Sequence, residues 1–451
     1  MAERVSLASG SAGSRDRIDV GVDAIEHGAV DYIAFDVMAE QTLPGQVTSE
    51  ESEATGYDPL LAQRMRAVLP AAHRHGVKVL GNFGALNPKG AAREVAAECA
   101  RLGLHGTKVG VVSGDDVTAL VREDFDTYFG DQGVDPENLL TAKAYLGAPP
   151  IVECLEQGAD IVVTGRVADS SLYLAPLMYE FGWDETDWDR IGAGAIIGHV
   201  LECGALATGA NWQNLDARPV PRLERIGGPI ADVTKDLKVD FRRAQNTGGV
   251  TAVANLSAQL MHEINDPAHY LTPDVDANLL SIGFTQRDGE TVEVRWTGDP
   301  RGHVRPEKLK ILGAFADGYI GEVILFLPGP RAAEHAEFIE PLVRARMEHL
   351  ALPLERLRFD YVGSPKAQNG VPEPPGAGGV LRIAAKAQTQ EAAREFARFG
   401  EYVIVMGPMA LGERRWSVKP AMNVVAAFMD RALVEPQIET IDVPAAAAVA
   451  S

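Results

Sequence analysis

From residue 4 to about 182 the chain alternates short β-branched apolar runs with longer stretches of helical period. Arg4–Ala8, Asp31–Asp36, Val77–Gly81, Thr107–Val112, Leu139–Tyr145 and Asp160–Thr164 predict strands. Between them, Pro59–His75 and Gly90–Leu102 space alanine, leucine and arginine at a 3.6-residue period and predict helices. Such alternation is the mark of βαβ units around a parallel sheet, so the expected fold class is α/β, with a Rossmann-like N-terminal domain.

From about 190 to 300 the pattern is less regular. Gly192–Thr208 predicts a helix, and the glycine-rich RIGGPIADVTK and NTGGVTAVANLSAQLMHEI read as connections that extend the first domain, residues 1–300. A second rhythm starts near residue 304. A strand at Gly318–Leu327, a helix at Arg331–His349, strands at Leu357–Val362 and Val380–Lys386, a helix at Glu391–Gly400 and a strand at Tyr402–Met406 give the order β-α-β-β-α-β. That is the split βαβ pattern of an α+β ferredoxin-like module, placed at 304–435. Gly370–Gly379 reads as a loop, and the alanine-rich end, 436–451, as a flexible tail.

Composition narrows the function classes. The 451 residues carry 63 acidic and 42 basic side chains, a formal charge of −21, with no block of lysine and arginine to follow a phosphodiester backbone. Nucleic acid is not an expected partner, and an anionic ligand must be met by individually placed cations. No apolar run approaches the roughly 18 residues of a membrane span, and MAERVSLASG lacks the apolar core of an export signal. Three scattered cysteines, Cys99, Cys154 and Cys203, support neither a disulfide framework nor a zinc cluster. The expectation is a soluble cytoplasmic protein and a homo-oligomer, with no metal and no cofactor of its own.

In an open parallel sheet, ligands bind beyond the carboxyl ends of the strands. The residues just after each predicted strand are Asp16 and Arg17, Asp36 and Glu40, Asn82 and Asn87, Ser113 to Asp116, Lys143, and Arg166 with Asp169 and Ser170. This set of carboxylates, amides and arginine suits recognition of, and proton transfer on, a small polar ligand. Arg166 can pair bidentately with a carboxylate or phosphate, whereas helix capping alone accounts for Asp169 and Ser170.

The first turn reads Ala8-x-Gly10-x-x-Gly13, a dinucleotide fingerprint with its first glycine replaced, and Asp36 stands where a ribose-binding acid would. An NAD(P)-dependent oxidoreductase is therefore an alternative, although Asp16 would compete with a pyrophosphate at the helix start. Further along, His199 and Glu202 share one helix face at i, i+3 and form a candidate general acid/base pair, with Cys203 beside them. The plainer alternative is a satisfied buried histidine next to a structural cysteine. No H-E-x-x-H, G-x-S-x-G or Walker A pattern occurs.

Taken together, GSAGSRDR, DYIAFDVMAEQT, NFGALNP, GADIVVTGRVADSS, GHVLECGALATG, NTGGVTAVANLSAQLMHEINDPAHYLTPDV and the late MGP resemble the acyclic terpene utilisation AtuA family over about residues 4 to 410. The resemblance implies an enzyme from the degradation of branched terpenoid acids as coenzyme A thioesters. It carries over Asp16, Arg17, Glu40, Asn87, Arg166, Asp169, His199, Glu202 and Cys203 as the family's motif positions. The expected chemistry is a lyase, a hydratase or dehydratase acting on a branched hydroxyacyl or enoyl thioester or the free acid. Asp16, Asp169, His199, Glu202 and Cys203 are then the catalytic candidates, and Gly10, Gly13, Arg17, Glu40, Asn82, Asn87, Arg166 and Ser170 the substrate-binding ones. A non-catalytic subunit of a degradative complex is the third expectation.

Two departures from the family pattern stand out. Ala85 replaces a glycine in the asparagine turn, and Met409 to Trp416 replace the glycine-rich continuation after MGP, which points to a different acyl group. The small extra C-terminal domain of many members is not present in this sequence, so a separate subunit is expected to supply it.

Overall fold

A computed structural model describes residues 2–38, 43–48, 55–210, 219–298, 300–363, 378–407 and 412–444. Glu40, Met409 to Leu411, most of the proline-rich loop and the alanine-rich end lie outside the described residues. The fold is mixed α/β, with several sheets, and divides into two compact units. The first comprises Met1–Gly133, Leu140–Gly313 and Val424–Ser451; the second comprises Val134–Leu139 and Ala314–Asn423.

The first unit is built on β1 (Arg4–Ala12), β2 (Tyr32–Asp36), β3 (Lys78–Gly81), β4 (Lys108–Ser113) and β6 (Ile161–Thr164), while β5 (Leu139–Ala144) pairs outside this sheet. The five run parallel in the order β1-β2-β3-β6-β4. Apolar side chains bury both faces of these strands, which is why they read as continuous rather than alternating runs. Helices α1 (Asp19–Gly28), α2 (Leu61–His75), α3 (Pro88–Arg101), α4 (Pro149–Glu156), α5 (Ser171–Phe181) and α6 (Trp188–Glu202) accompany them.

The ends of these helices are chemically marked. α2 stops at Gly76, left-handed at φ 68°. α3 starts at Pro88 behind Asn87, whose side chain accepts from the Gly90 amide.

The residues between 229 and 296 do more than connect. β7 (Pro229–Thr234), β8 (Val239–Arg243), β11 (Ile282–Gln286) and β12 (Val292–Trp296) extend the sheet past β1 with antiparallel pairing. β9 (Tyr270–Leu271), β10 (Asp276–Ala277) and β13 (Gly302–His303) make a small separate sheet, and α7 (Val253–Leu260) precedes them. The expected helix at Gly192–Thr208 is α6, which ends at Glu202 and gives way to a 3₁₀ turn.

Two sequence expectations are corrected at the far end. Tyr402–Met406 is not a strand but the last turns of α9 (Gln390–Met406), because Phe396, Phe399 and Val403 keep a helical period and bury one face. The segment 436–451 is not wholly a tail: β18 (Gln437–Asp442) pairs antiparallel with β4 and completes the ten-stranded sheet.

The second unit holds most of β14 (Lys308–Leu327), α8 (Ala332–His349), β15 (Leu354–Val362), β16 (Gly379–Ala387), α9 and the first part of β17 (Arg414–Asp430). Its strands lie in the order β15-β16-β14-β17. Val323, Leu325, Leu381 and Ile383 bury against Ile339, Val343, Phe396 and Phe399 from the helices. The alternating burial of β16 is that of a sheet with one face packed.

Candidate functional site

The five parallel strands end on one edge, and the turns beyond them gather buried polar side chains. Asn82, after β3, accepts from the Val37 and Met38 amides at 2.6 and 3.0 Å and donates to Asp36 Oδ1 at 2.6 Å. This clamp holds the Asp36 carboxyl in the interior. Burial raises its pKa, against the opposing pull of Arg166.

After β6 the chain turns through Gly165 and Arg166 into α5. The Arg166 amide donates to Asp115 Oδ2 at 2.9 Å, which fixes the turn. Its guanidinium is 1% exposed, lies 4.1 Å above the Tyr145 ring and donates from Nη2 to Asp169. Among the described residues, Nε and Nη1 have no hydrogen-bond partner. Burial works to discharge this cation, but Asp169, Tyr145 and Asp36 outweigh it and hold it charged. Buried guanidinium donors left idle are costly, and such groups are ready to receive an anion or water.

α6 supplies the other half of the site. It is capped by Asp187, whose side chain accepts from the Arg190 amide, and every residue from Ile191 to Glu202 is buried. Gly198 makes this possible, because a Cβ there would stand 2.5 Å from the Ser170 carbonyl oxygen. The close approach of α6 to the start of α5 brings His199 and Glu202 beside Asp169 and Ser170. His199 Nδ1 is 2.8 Å from Glu202 Oε1, Nε2 is 3.1 Å from the Leu260 carbonyl oxygen, and the ring packs 4.8 Å from that of Tyr270.

For His199, burial pulls the pKa down, but Glu202, the Leu260 carbonyl and Asp169 together outweigh it, and the net shift is upward. For Glu202, burial pushes the pKa up and His199 offsets part of that. An imidazole and a carboxyl that share one short line in the interior, each shifted upward, are suited to moving protons.

These side chains open on a cavity of about 840 Å³, within the size range of small-molecule sites. Asp169, His199 and Glu202 line it together with Tyr145 and Tyr270, and Ile264, Leu271 and Phe428 give it apolar wall. Lys308 and Lys310 bring positive charge to the lining, beside the carboxylates of Glu263 and Glu307. Burial gives the cavity a direction: His199 and Glu202 are interior, whereas Leu271 and Phe428 are each 58% exposed.

The other candidates from the sequence lie elsewhere. β1 runs on to Ala12, past the turn expected after Ala8, so Gly10 is a strand residue packed on Phe35; Gly13 has open space around it. Asp16 closes the following turn by accepting from the Ala12 and Arg17 amides, and Arg17 pairs with Asp19. Asn87 is a helix cap, and Ser170 is buried against Gly198. None of these lines the cavity. Lys143 is buried between Asp115 and Asp116 at 3.5 and 3.2 Å.

Cys203 is half-buried, and burial with Glu202 raises its thiol further from a thiolate; burial also pushes Cys154 up to about 12. A reactive thiolate needs the opposite surroundings. Among the described residues no group of three His, Cys, Asp or Glu is arranged to hold a metal ion, and no helix is long and apolar enough to cross a membrane.

Tyr145, Tyr270, Lys308, Lys310 and Phe428 were not foreseen as site residues. Tyr270 had a signal, since it lies in the long family-like motif ending HYLTPDV. The others come from segments that only tertiary pairing brings together, as when the Tyr145 amide donates to the Lys310 carbonyl at 2.9 Å.

Residues 5–440 match the family described as acyclic terpene utilisation family protein AtuA, and the chain belongs to that family. Nothing matches among proteins of curated function or among solved structures.

Proposed function

We propose that this member of the acyclic terpene utilisation AtuA family is a hydro-lyase that adds water to, or removes it from, a branched hydroxyacyl or enoyl substrate, as the coenzyme A thioester or the free acid. The observation that carries the reading is the meeting of the His199–Glu202 pair with Asp169 on one cavity wall, with the Arg166 guanidinium directly behind.

Dehydration needs a base for the proton beside the carbonyl, a stabiliser for the enolate oxygen and an acid for the departing hydroxyl. The His199–Glu202 pair is the base. The C–H electrons pass to the carbonyl oxygen, whose growing charge the Arg166 guanidinium offsets from behind the wall, and the pair then gives the proton it took to the β-hydroxyl, which Asp169 orients and which leaves as water. Hydration reverses each transfer. The apolar wall suits a branched chain, and Lys308 with Lys310 suits its anionic end. No redox cofactor enters, and coenzyme A would come only as part of the substrate.

Asp16, expected among the catalytic residues, has no part in this scheme because its carboxylate is used by the turn after β1. The same physical reading takes the first unit as Rossmann-like and the second as ferredoxin-like, on the strength of the parallel block and of the β15-β16-β14-β17 order.

The test is incubation of purified protein with a panel of branched hydroxyacyl and enoyl thioesters and their acids in ¹⁸O-water. Gain or loss of one water by mass spectrometry is expected. No mass change across the panel, with no label incorporated, overturns the reading.

A further inference from the structure

We infer that Glu202 is the member of the pair that exchanges a proton with the ligand, through Oε2, and that His199 is a positioning residue whose two ring nitrogens are both committed to the protein. The inference deepens the proton-transfer reading above and rests on it.

The geometry divides the two roles. A carbonyl oxygen only accepts, so His199 Nε2, 3.1 Å from the Leu260 oxygen, keeps its hydrogen. Nδ1 faces Glu202 Oε1 at 2.8 Å, and one proton sits on that line, on nitrogen or on oxygen. At 2% exposure, packed against Tyr270 and with both nitrogens engaged, the imidazole presents neither nitrogen free to the cavity. Oε2 of Glu202, by contrast, has no hydrogen-bond partner among the described residues, and Glu202 lies on the cavity wall.

The surroundings support one retained proton. Asp169 and Arg166 face the pair from the turn before α5, Asp36 from the end of β2, Tyr173 from α5, Tyr270 from β9 and Cys203 from the end of α6 itself. Three acids, Asp36, Asp169 and Glu202, share this interior with one permanent cation, Arg166. A second cation on His199 offsets a further one of these charges, so Glu202 acts as a carboxylate beside an imidazolium. In the forward step an O–H bond forms at Oε2 as the ligand's C–H bond breaks, and the C–H electrons move to the ligand's carbonyl oxygen. The Nδ1 hydrogen stays on the line to Oε1 throughout.

Full-length protein labelled with ¹⁵N-histidine tests the arrangement without any substrate, the His199 signals being assigned by their loss in His199→Gln. Nε2 is expected to keep the shift of a protonated nitrogen from about pH 5 to about pH 9, with any titration confined to Nδ1. In Glu202→Gln the amide donates to Nδ1, and the ring is expected to stay neutral and cease to titrate. An Nε2 that loses its hydrogen at high pH, or a titration unchanged in Glu202→Gln, overturns the assignment.

The exchange role is read in D₂O with the acyl thioester panel. Glu202→Gln is expected to lose about 100-fold or more in deuterium incorporation beside the carbonyl. His199→Gln should lose about tenfold, with a displaced pH profile. Equal loss in both variants, with native circular dichroism, overturns the division of labour. A wild type that incorporates no deuterium overturns the role of Glu202 toward acyl ligands, while the nitrogen spectra still decide how the pair is built.

Discussion

The backbone of Gly10 packs closely on the ring of Phe35, so that a Cβ at this position would stand 2.4 Å from Cε1. Gly10 belongs to β1 and Phe35 to the neighbouring β2, and both are buried. The first glycine of the opening motif therefore serves sheet and helix packing. Gly10→Ala is expected to cost about 1–3 kcal/mol, the usual penalty for overfilling a packed core. Gly13→Ala, with nothing within 4 Å, should stay within about 0.5 kcal/mol of wild type. Urea unfolding of the two variants checks both, and equal effects would count against this packing role.

The Arg166–Asp169 pair gives a second measurement. Removing one side of a buried pair strands the other, at a cost of about 3–5 kcal/mol for a fully interior charge. Arg166→Gln should approach that range, since it leaves Asp36 and Asp169 with no cation between them. Asp169→Asn should cost less, because Asp169 is 24% exposed and Tyr145 and Asp36 still face the guanidinium. Chemical denaturation of the single and double variants measures the coupling, and additive losses would contradict it.

Asp36 sets a pH dependence of stability. Its carboxyl pKa is raised in the folded state by burial, so the fold binds a proton there more tightly than the unfolded chain does. Its contribution is therefore complete in acid and is lost as pH rises through the folded value. Asp36→Asn keeps an oxygen for the Asn82 amide and cannot ionise. It should match wild type in acid and exceed it at neutral pH by on the order of 1 kcal/mol, at the expense of activity. Thermal unfolding across pH reads this directly.

Asp232 works in the opposite sense. Burial would raise its pKa, but Arg242, the Ser6 hydroxyl and Arg4 together lower it. Its stabilisation is thus present above the unfolded value and fades as pH falls through the folded one. Asp232→Asn should cost about 2 kcal/mol at neutral pH, where the charged hydrogen bonds are lost. The same substitution should be nearly silent in acid, as denaturant midpoints at the two pH values would show.

The parallel strands were legible because burial on both faces forces unbroken β-branched runs, as in Ile161–Thr164. β7, β8, β11 and β12 were not, since they are five or six residues long and half polar, a pattern that loops share. Val403 drew Tyr402–Met406 toward a strand by composition, and only its spacing from Phe396 and Phe399 identifies the helix. At the site, looking just past each strand found Asp36, Asn82, Arg166 and Asp169, and helical spacing found His199 and Glu202. The same rule also picked Asp16 and Asn87, because turns and helix caps recruit the same polar side chains as ligands do. Tyr145 and Lys310 could not be found this way, as their partnership depends on a backbone pairing between residues 165 positions apart.

The pairing of β18 with β4, from Gln437 against Ser113 to Asp442 against Lys108, has a temporal side. A ribosome finishes β4 long before it makes the strand that covers it. Until then the row of amides and carbonyls along Lys108–Ser113 stands unpaired, the kind of template that recruits strands from other chains. The first unit thus cannot close its sheet until the chain through Asp442 has left the ribosome. Truncation before Gln437 would leave a nascent edge permanently exposed, and the damage would appear as aggregation in the cell before any loss of chemistry.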